Sequence, residues 1–169
     1  MIILETSRLI LRTFRPEDLA ALCELYSDWE VRKYFPDGVL TVDETREELE
    51  FYLDGGWPEH PQLGLWAVVE RSSNTLIGRC GILPWTIDGR TETELAYLIK
   101  RSHWRKGFAS EAASAVVAHA GGPLGLTRLI ALIHENNIAS IRTAEKLGFC
   151  FNKTITIEDI GAQLYVLQR

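Results

Sequence analysis

Trp104-Arg105-Lys106-Gly107-Phe108-Ala109-Ser110-Glu111-Ala112 follows a strand-like run, Glu94 to Lys100, and opens an alanine-rich stretch with helical spacing. A strand that turns through a glycine straight into a helix leaves several backbone N–H groups without helical partners, all facing one point. With the positive end of the helix dipole behind them, they make an anion site from main chain, suited to a phosphate or pyrophosphate. Gly107 keeps a Cβ out of the ligand's way, and Ala109 and Ser110 keep the surface low. Arg105 and Lys106 add positive charge at its mouth. A short Gly turn before a helix is also common punctuation, so this stretch alone leaves both readings open.

Outward from this turn, strands and helices alternate. Arg8 to Phe14 has the alternation of a strand. Pro16 stands where a helix can begin, with Leu19, Leu22, Cys23 and Tyr26 as its expected buried stripe. Val42 to Leu53 reads as a second helix, with Leu49, Tyr52 and Leu53 inward and Glu44, Glu47, Glu48 and Glu50 on a solvated outer side. Gly55-Gly56-Trp57-Pro58 ends it. Leu65 to Glu70 and Leu76 to Leu83 read as a hairpin around Arg71 to Asn74, and Thr93 to Ile99 is the fourth strand. Ala109, Ala112, Ala113, Val116, Val117 and Ala120 are spaced to pack the next helix on the sheet, and Gly121-Gly122-Pro123 stops it. Leu129 to Ile133 is almost continuously apolar, as expected of a central strand covered on both faces. Asn137 to Leu147 forms the last helix with Gly148 at its C-terminal cap. Phe149 to Ile157 and Ala162 to Gln168 close the chain as an antiparallel pair. The pattern predicts a mixed α/β sheet with helices on both sides, in one domain spanning residues 1–169.

The composition agrees: 169 residues, 46% of them hydrophobic, suit a single domain with a full core. No apolar run reaches the ~18 residues of a membrane span, and the start lacks the regions of a signal peptide. A cytoplasmic protein with no membrane partner is expected. The net charge of -5 argues against nucleic acid as the main partner. Cys23, Cys80 and Cys150 are odd in number, widely separated and without metal-site spacing, so buried free thiols in a reducing compartment, and no metal, are expected.

A second constellation, Asn137-Ile138-Ala139-Ser140-Ile141-Arg142-Thr143-Ala144-Glu145-Lys146-Leu147-Gly148-Phe149, lies downstream of the apolar strand Arg128 to His134. Together and in this order, the two resemble the GNAT superfamily of acetyl-CoA-dependent N-acetyltransferases. The closer likeness is to the branch containing the ribosomal-protein N-terminal (alanine) acetyltransferases. Leu4 to Arg12, then Arg15-Pro16-Glu17-Asp18, and Leu76-Ile77-Gly78 are similar to that branch as well. The resemblance covers nearly the whole chain. It implies the GNAT fold: a mixed, mostly antiparallel central sheet of about seven strands, splayed between the fourth and fifth, with helices on both faces.

Forming an amide from a thioester requires a neutral amine, a stabilised oxyanion and a thiolate able to leave. At pH 7 a free α-amine (pKa ~7.7–8.0) is about a tenth neutral, while a lysine amine is neutral about once in several thousand, so a base matters more for the latter. Glu94 is the candidate base; the resemblance implies such a role for a glutamate at this place in the strand, often through water. An outward-facing strand carboxylate is the alternative, and Glu92 has the same parity. The resemblance also implies that the splay frees main chain of Leu98, Ile99 and Lys100 for the pantetheine arm. A free N–H near Leu98 would polarise the thioester oxygen, a contact typically worth ~3–4 kcal/mol. Arg105, Lys106, Gly107, Phe108, Ala109 and Ser110 would hold the pyrophosphate. Asn137 suits a helix N-cap, and the resemblance implies that it also reaches the cofactor arm.

Two departures from the superfamily carry weight. Trp104 stands where many members have Arg or Gln, and Arg105 replaces a Gly common in the resembling branch; the phosphate nest is expected to survive if Arg105 keeps φ < 0. Ala144 occupies the place of a Tyr that many members use to protonate the thiolate. Ser140 is the substitute the branch implies, its alternative being a simple helix-terminus hydroxyl. No cysteine lies between Glu94 and Phe149, which points to direct attack in a ternary complex rather than a covalent acyl-enzyme. His134, near the cleft mouth, reads as structural. Trp29, Tyr34, Phe35, Trp57 and Trp85, with several acids, suit a cationic acceptor of some apolar bulk. A protein N-terminus, a polyamine and an amino-sugar fit equally, as do a monomer and a homodimer. The alternative to an enzyme is a non-catalytic CoA-binding regulatory module, favoured by Ala144 and opposed by Glu94 and Ser140.

Overall fold

Leu65, Trp66, Ala67, Val68 and Val69 are buried without a break because successive side chains of one strand feed two separate cores. In the computed structural model, which describes residues 1–157 and 160–169, this strand is β3 (Gly64–Glu70). Its companions are β1 (Ile2–Glu5), β2 (Leu9–Arg12), β4 (Thr75–Ile87), β5 (Arg90–Ile99), β6 (Arg128–Ile133), β7 (Cys150–Ile157) and β8 (Ile160–Gln168). They form one sheet in the order β1-β2-β3-β4-β5-β6-β8-β7. The short edge strand β1 is the one that adds to the seven of the sequence pattern.

On one face lies α4 (Phe108–Gly121), whose Ala112, Ala113, Val116, Val117 and Ala120 pack with Leu9, Val68, Ile77 and Leu129. On the other lie α1 (Leu19–Tyr26), α2 (Trp29–Arg32) and α3 (Val42–Leu53), packing Leu22, Leu25, Tyr26 and Leu49 with Leu65, Ala67 and Leu98. The fifth α-helix is α5 (Ile138–Lys146).

Two side-chain stripes differ from the sequence reading. A 3₁₀ turn over Pro16–Asp18 precedes α1 and shifts its phase, so Leu25 is buried where Cys23 was expected, and Cys23 is half-buried. In α3 the inner stripe is Thr45, Glu48, Leu49 and Tyr52; Leu53 is 41% exposed and Glu48 faces inward rather than toward solvent. Of the three thiols only Cys80 is buried, because Cys150 opens the exposed edge strand β7.

Asp88-Gly89, with φ of 50° and 74°, joins β4 to β5 in a two-residue turn whose two positive φ values match the strands' twist. The turn fixes a continuous antiparallel register from Ile87↔Arg90 through Leu83↔Glu94 to Gly78↔Ile99. The strands approach closely at Gly78, where a Cβ would lie 2.1 Å from the Leu98 carbonyl oxygen. On its other side β5 meets β6 in parallel, in register at Glu94↔Ile130. The parallel step requires a crossover, which α4 supplies. Past that point the two strands diverge.

Candidate active site

Glu94 sits at the root of this divergence, on the face covered by α1 to α3. Its carboxylate accepts from the Trp85 indole N–H and the Leu132 main-chain N–H. It is 9% exposed, and burial pushes its pKa up to about 7 against the opposing pull of those donors and of Arg79. Glu92, the alternative of equal parity, is held by Arg128 in a two-pronged pair with Nε–Oε2 2.9 Å and Nη2–Oε1 3.0 Å. Glu94 is poised to take up a proton near neutral pH.

Trp85 also walls an open groove of about 610 Å³ with Trp57, Pro58, Glu59, His60, Thr86 and Thr91. The groove brings together two of the aromatics expected at the acceptor. The others go elsewhere. Phe35 lies under the Arg32 guanidinium at 4.8 Å, Tyr34 meets the His134 ring at 5.1 Å, and Trp29 is exposed on α2. Beneath the groove face a polar network is buried: Tyr26 and Tyr52 donate to Glu48 at 2.9 and 2.7 Å, and Arg79 donates to Tyr52 at 3.1 Å. The charge run on α3 hid this network, since nothing in its spacing singles out Glu48.

The loop expected to hold phosphate differs from expectation in one respect: Arg105 has φ 62°. The nest is built with Arg105 and Gly107 (φ 80°) both left-handed and Lys106 between them, an alternation that turns successive N–H groups to one side. Arg105 therefore takes up the left-handed conformation a glycine would adopt there, rather than φ < 0. The ladder of α4 begins with Glu111 N–H onto Gly107 C=O at 3.0 Å, so the N–H groups of Phe108, Ala109 and Ser110 lie ahead of it. Lys106 Nζ donates to Ser102 C=O at 2.9 Å, holding its charge beside the loop, and Trp104 Nε1 donates to Ile99 C=O at 2.7 Å.

Of the three strand residues expected to offer main chain, Lys100 has both groups engaged: its N–H donates to Ile77 at 2.7 Å and its C=O accepts from His103 at 2.9 Å. The chain leaves the β-conformation there for a 3₁₀ turn at Arg101–His103. With Lys100 paired to Ile77, the antiparallel alternation turns the main chain of Leu98 toward its β4 partner Arg79, contrary to expectation, and Ile99 is the one of the three whose main chain faces the diverging edge, where its C=O accepts from Trp104. Asn137 caps α5, its Oδ1 accepting from Ser140 N–H at 3.2 Å. Ser140 is half-buried, and its carbonyl accepts from the Tyr97 hydroxyl at 3.1 Å. Tyr97, on the β5 face opposite Glu94, had no signal in the sequence beyond strand parity; burial raises its pKa to about 12. Ala144 is fully buried. Among the described residues, no group of three His, Cys, Asp or Glu side chains is placed to hold a metal ion, and no helix is long and apolar enough to cross a membrane.

The acetyltransferase (GNAT) domain family matches residues 8–150. The uncharacterized N-acetyltransferase YoaA of Bacillus subtilis is 34% identical over 148 residues, 87% of this chain and 82% of its own. The crystal structure of a GNAT-family acetyltransferase from Bacillus anthracis superposes with a TM-score of 0.82 at 26% identity, covering 99% of this chain and 98% of the other. The ribosomal L7/L12 α-N-protein acetyltransferase RimL, in complex with coenzyme A, has the same fold: TM-score 0.78, 16% identity, 99% and 98% coverage. A glycine loop leading into α4 beside the β5–β6 pair thus sits in a sequence that these comparisons recognise along most of its length, and the chain belongs to the GNAT acetyltransferase family.

Proposed function

We propose that this chain, as one domain, transfers the acetyl group of acetyl-CoA to a primary amine by direct attack in a ternary complex. The observation that carries this reading is Glu94: a buried carboxyl at the strand divergence, with a pKa of about 7. A base of that strength is half ionised near neutral pH, where proton transfer from an ammonium is most useful. The pyrophosphate of acetyl-CoA fits the N–H groups from Arg105 to Ser110, and the pantetheine arm fits the edge of β5 at Ile99. Coenzyme A bound to RimL supports the donor.

The acceptor ammonium gives a proton to Glu94, directly or through water, and its nitrogen attacks the thioester carbonyl carbon. A main-chain N–H on the open edge of β5, that of Ile99 rather than Leu98, stabilises the oxyanion. The C–S bond then breaks as the attacking nitrogen gives up its second proton to form the amide, and the departing thiolate takes up one proton, passed on through the Ser140 hydroxyl, which is left unchanged. Ser140 is the candidate for handing over that proton; a thiol of pKa ≈ 8.5 leaves without a strong acid. Trp57, Trp85 and Glu59 around the groove favour a cationic acceptor carrying apolar bulk.

The test measures CoA release from acetyl-CoA with peptides bearing free N-termini, polyamines and aminoglycosides as acceptors. Turnover with one class is expected. Tight CoA binding with no turnover for any amine would replace the enzyme by a regulatory CoA-binding module.

A further inference from the structure

Arg8 stands in the turn between β1 and β2, far from the phosphate loop in sequence and directly behind it in space. Its Nη1 donates to the Lys106 carbonyl at 2.9 Å, and its guanidinium lies over the Phe108 ring at 4.4 Å. The other side of the fork is fastened to Glu111 in the first turn of α4, with Nε–Oε2 and Nη2–Oε2 both 2.6 Å. The Arg8 main-chain N–H adds 3.0 Å to Oε1, which also accepts from the hydroxyls of Thr6 (2.5 Å) and Ser7 (3.2 Å).

In a trans peptide the carbonyl and the following N–H point in opposite directions. Holding the Lys106 carbonyl on Arg8 therefore aims the Gly107 N–H away from Arg8, into the nest. Two left-handed residues, one of them an arginine, give this loop little preference of its own for its shape, so an external hold matters. Arg8 also neutralises Glu111, whose charge would otherwise stand behind a bound phosphate.

We infer that Arg8, locked by Glu111, is a positioning residue of the phosphate loop, acting on the donor through the Lys106–Gly107 peptide. The inference rests on the acetyl-CoA reading above. Its test compares acetyl-CoA with S-acetylpantetheine, which keeps the thioester and arm but lacks the pyrophosphate.

Wild type should prefer acetyl-CoA. Arg8→Met should raise the KM for acetyl-CoA about tenfold with kcat retained, and leave kcat/KM for S-acetylpantetheine unchanged. Arg8→Lys keeps the charge but cannot reach Lys106 and Glu111 together, and should behave like Arg8→Met. If Arg8→Met does not fold, Glu111→Gln, which loosens the lock, should show the same split between donors. Equal losses with both donors, no loss with acetyl-CoA, or full rescue by lysine would overturn the inference. A wild type indifferent to the pyrophosphate would instead overturn the cofactor reading beneath it.

Discussion

Replacing Glu94 with Gln should make the protein more stable and less active, and both effects should depend on pH. Moving a carboxyl pKa from 4.5 to about 7 corresponds to on the order of 3 kcal/mol held against the ionised form. Because the folded pKa is raised, that stability is fully present below the unfolded pKa of 4.5 and is lost as pH rises through about 7. Gln resembles the protonated acid and does not titrate. Its melting temperature should therefore track wild type near pH 4.5 and exceed it by roughly 6–12 °C at pH 8–9, at about 2–4 °C per kcal/mol for a chain of this size. In the wild type, kcat/KM should fall about tenfold per pH unit below 7; in Glu94→Gln that limb should vanish, with kcat down 10²–10⁴-fold. Acetyl-CoA affinity should hardly change. Melts across pH and steady-state rates on the two proteins decide it. A stability gap that does not vary with pH, or a kcat left intact, would refute the reasoning.

Gly107→Val places a branched side chain at φ 80° with its Cβ 3.4 Å from Arg8 Nη2, so acetyl-CoA affinity should drop at least tenfold, about 1.4 kcal/mol, in calorimetry. Arg105→Gly removes a left-handed cost of about 1–2 kcal/mol and adds roughly 0.5–1 kcal/mol of unfolded-state entropy, so its melting point should equal or exceed wild type. Arg105→Val should lower it. Trp85→Phe keeps the groove wall but removes the N–H that favours ionised Glu94, so the acidic limb of kcat/KM should move above pH 7 with little change in acceptor KM.

Most of the fold was legible because it follows from periodicity and punctuation: α3 spans Val42–Leu53 as read, and α4 begins at Phe108, right after Gly107. The register beside Glu94 was also within reach. Asp88-Gly89 is the hairpin signal that sets Leu83 opposite Glu94 and brings Trp85 next to it, yet the sequence reading ended β4 at Leu83 and passed over it. Arg8 with Glu111, and Glu48 with Arg79, were not legible. Such pairs are contacts across the tertiary structure between residues that are locally ordinary. The φ of Arg105 was misjudged because residue type argues for the right-handed side, while the loop's alternation requires the left.

Where β5 and β6 part, the main-chain ladder of the sheet falls into two blocks, β1 to β5 and β6-β8-β7. Side chains of one core, Ile77 and Leu95 with Leu129, Ala131 and Tyr165, are left to join them. Beyond the Arg128–Glu92 pair and the hydrogen bonds of Leu132 with Glu94 and Tyr97 with Ser140, the cohesion between blocks is apolar and nondirectional, so local opening can begin there at a lower free energy than global unfolding. A ligand strung along the edge of β5 and anchored at α4 would supply the missing mechanical tie. At a hundred times its dissociation constant it would add about 2.7 kcal/mol to folding. The chain by itself is in this sense an unfinished sheet, to which a donor bound along β5 would add a removable strand.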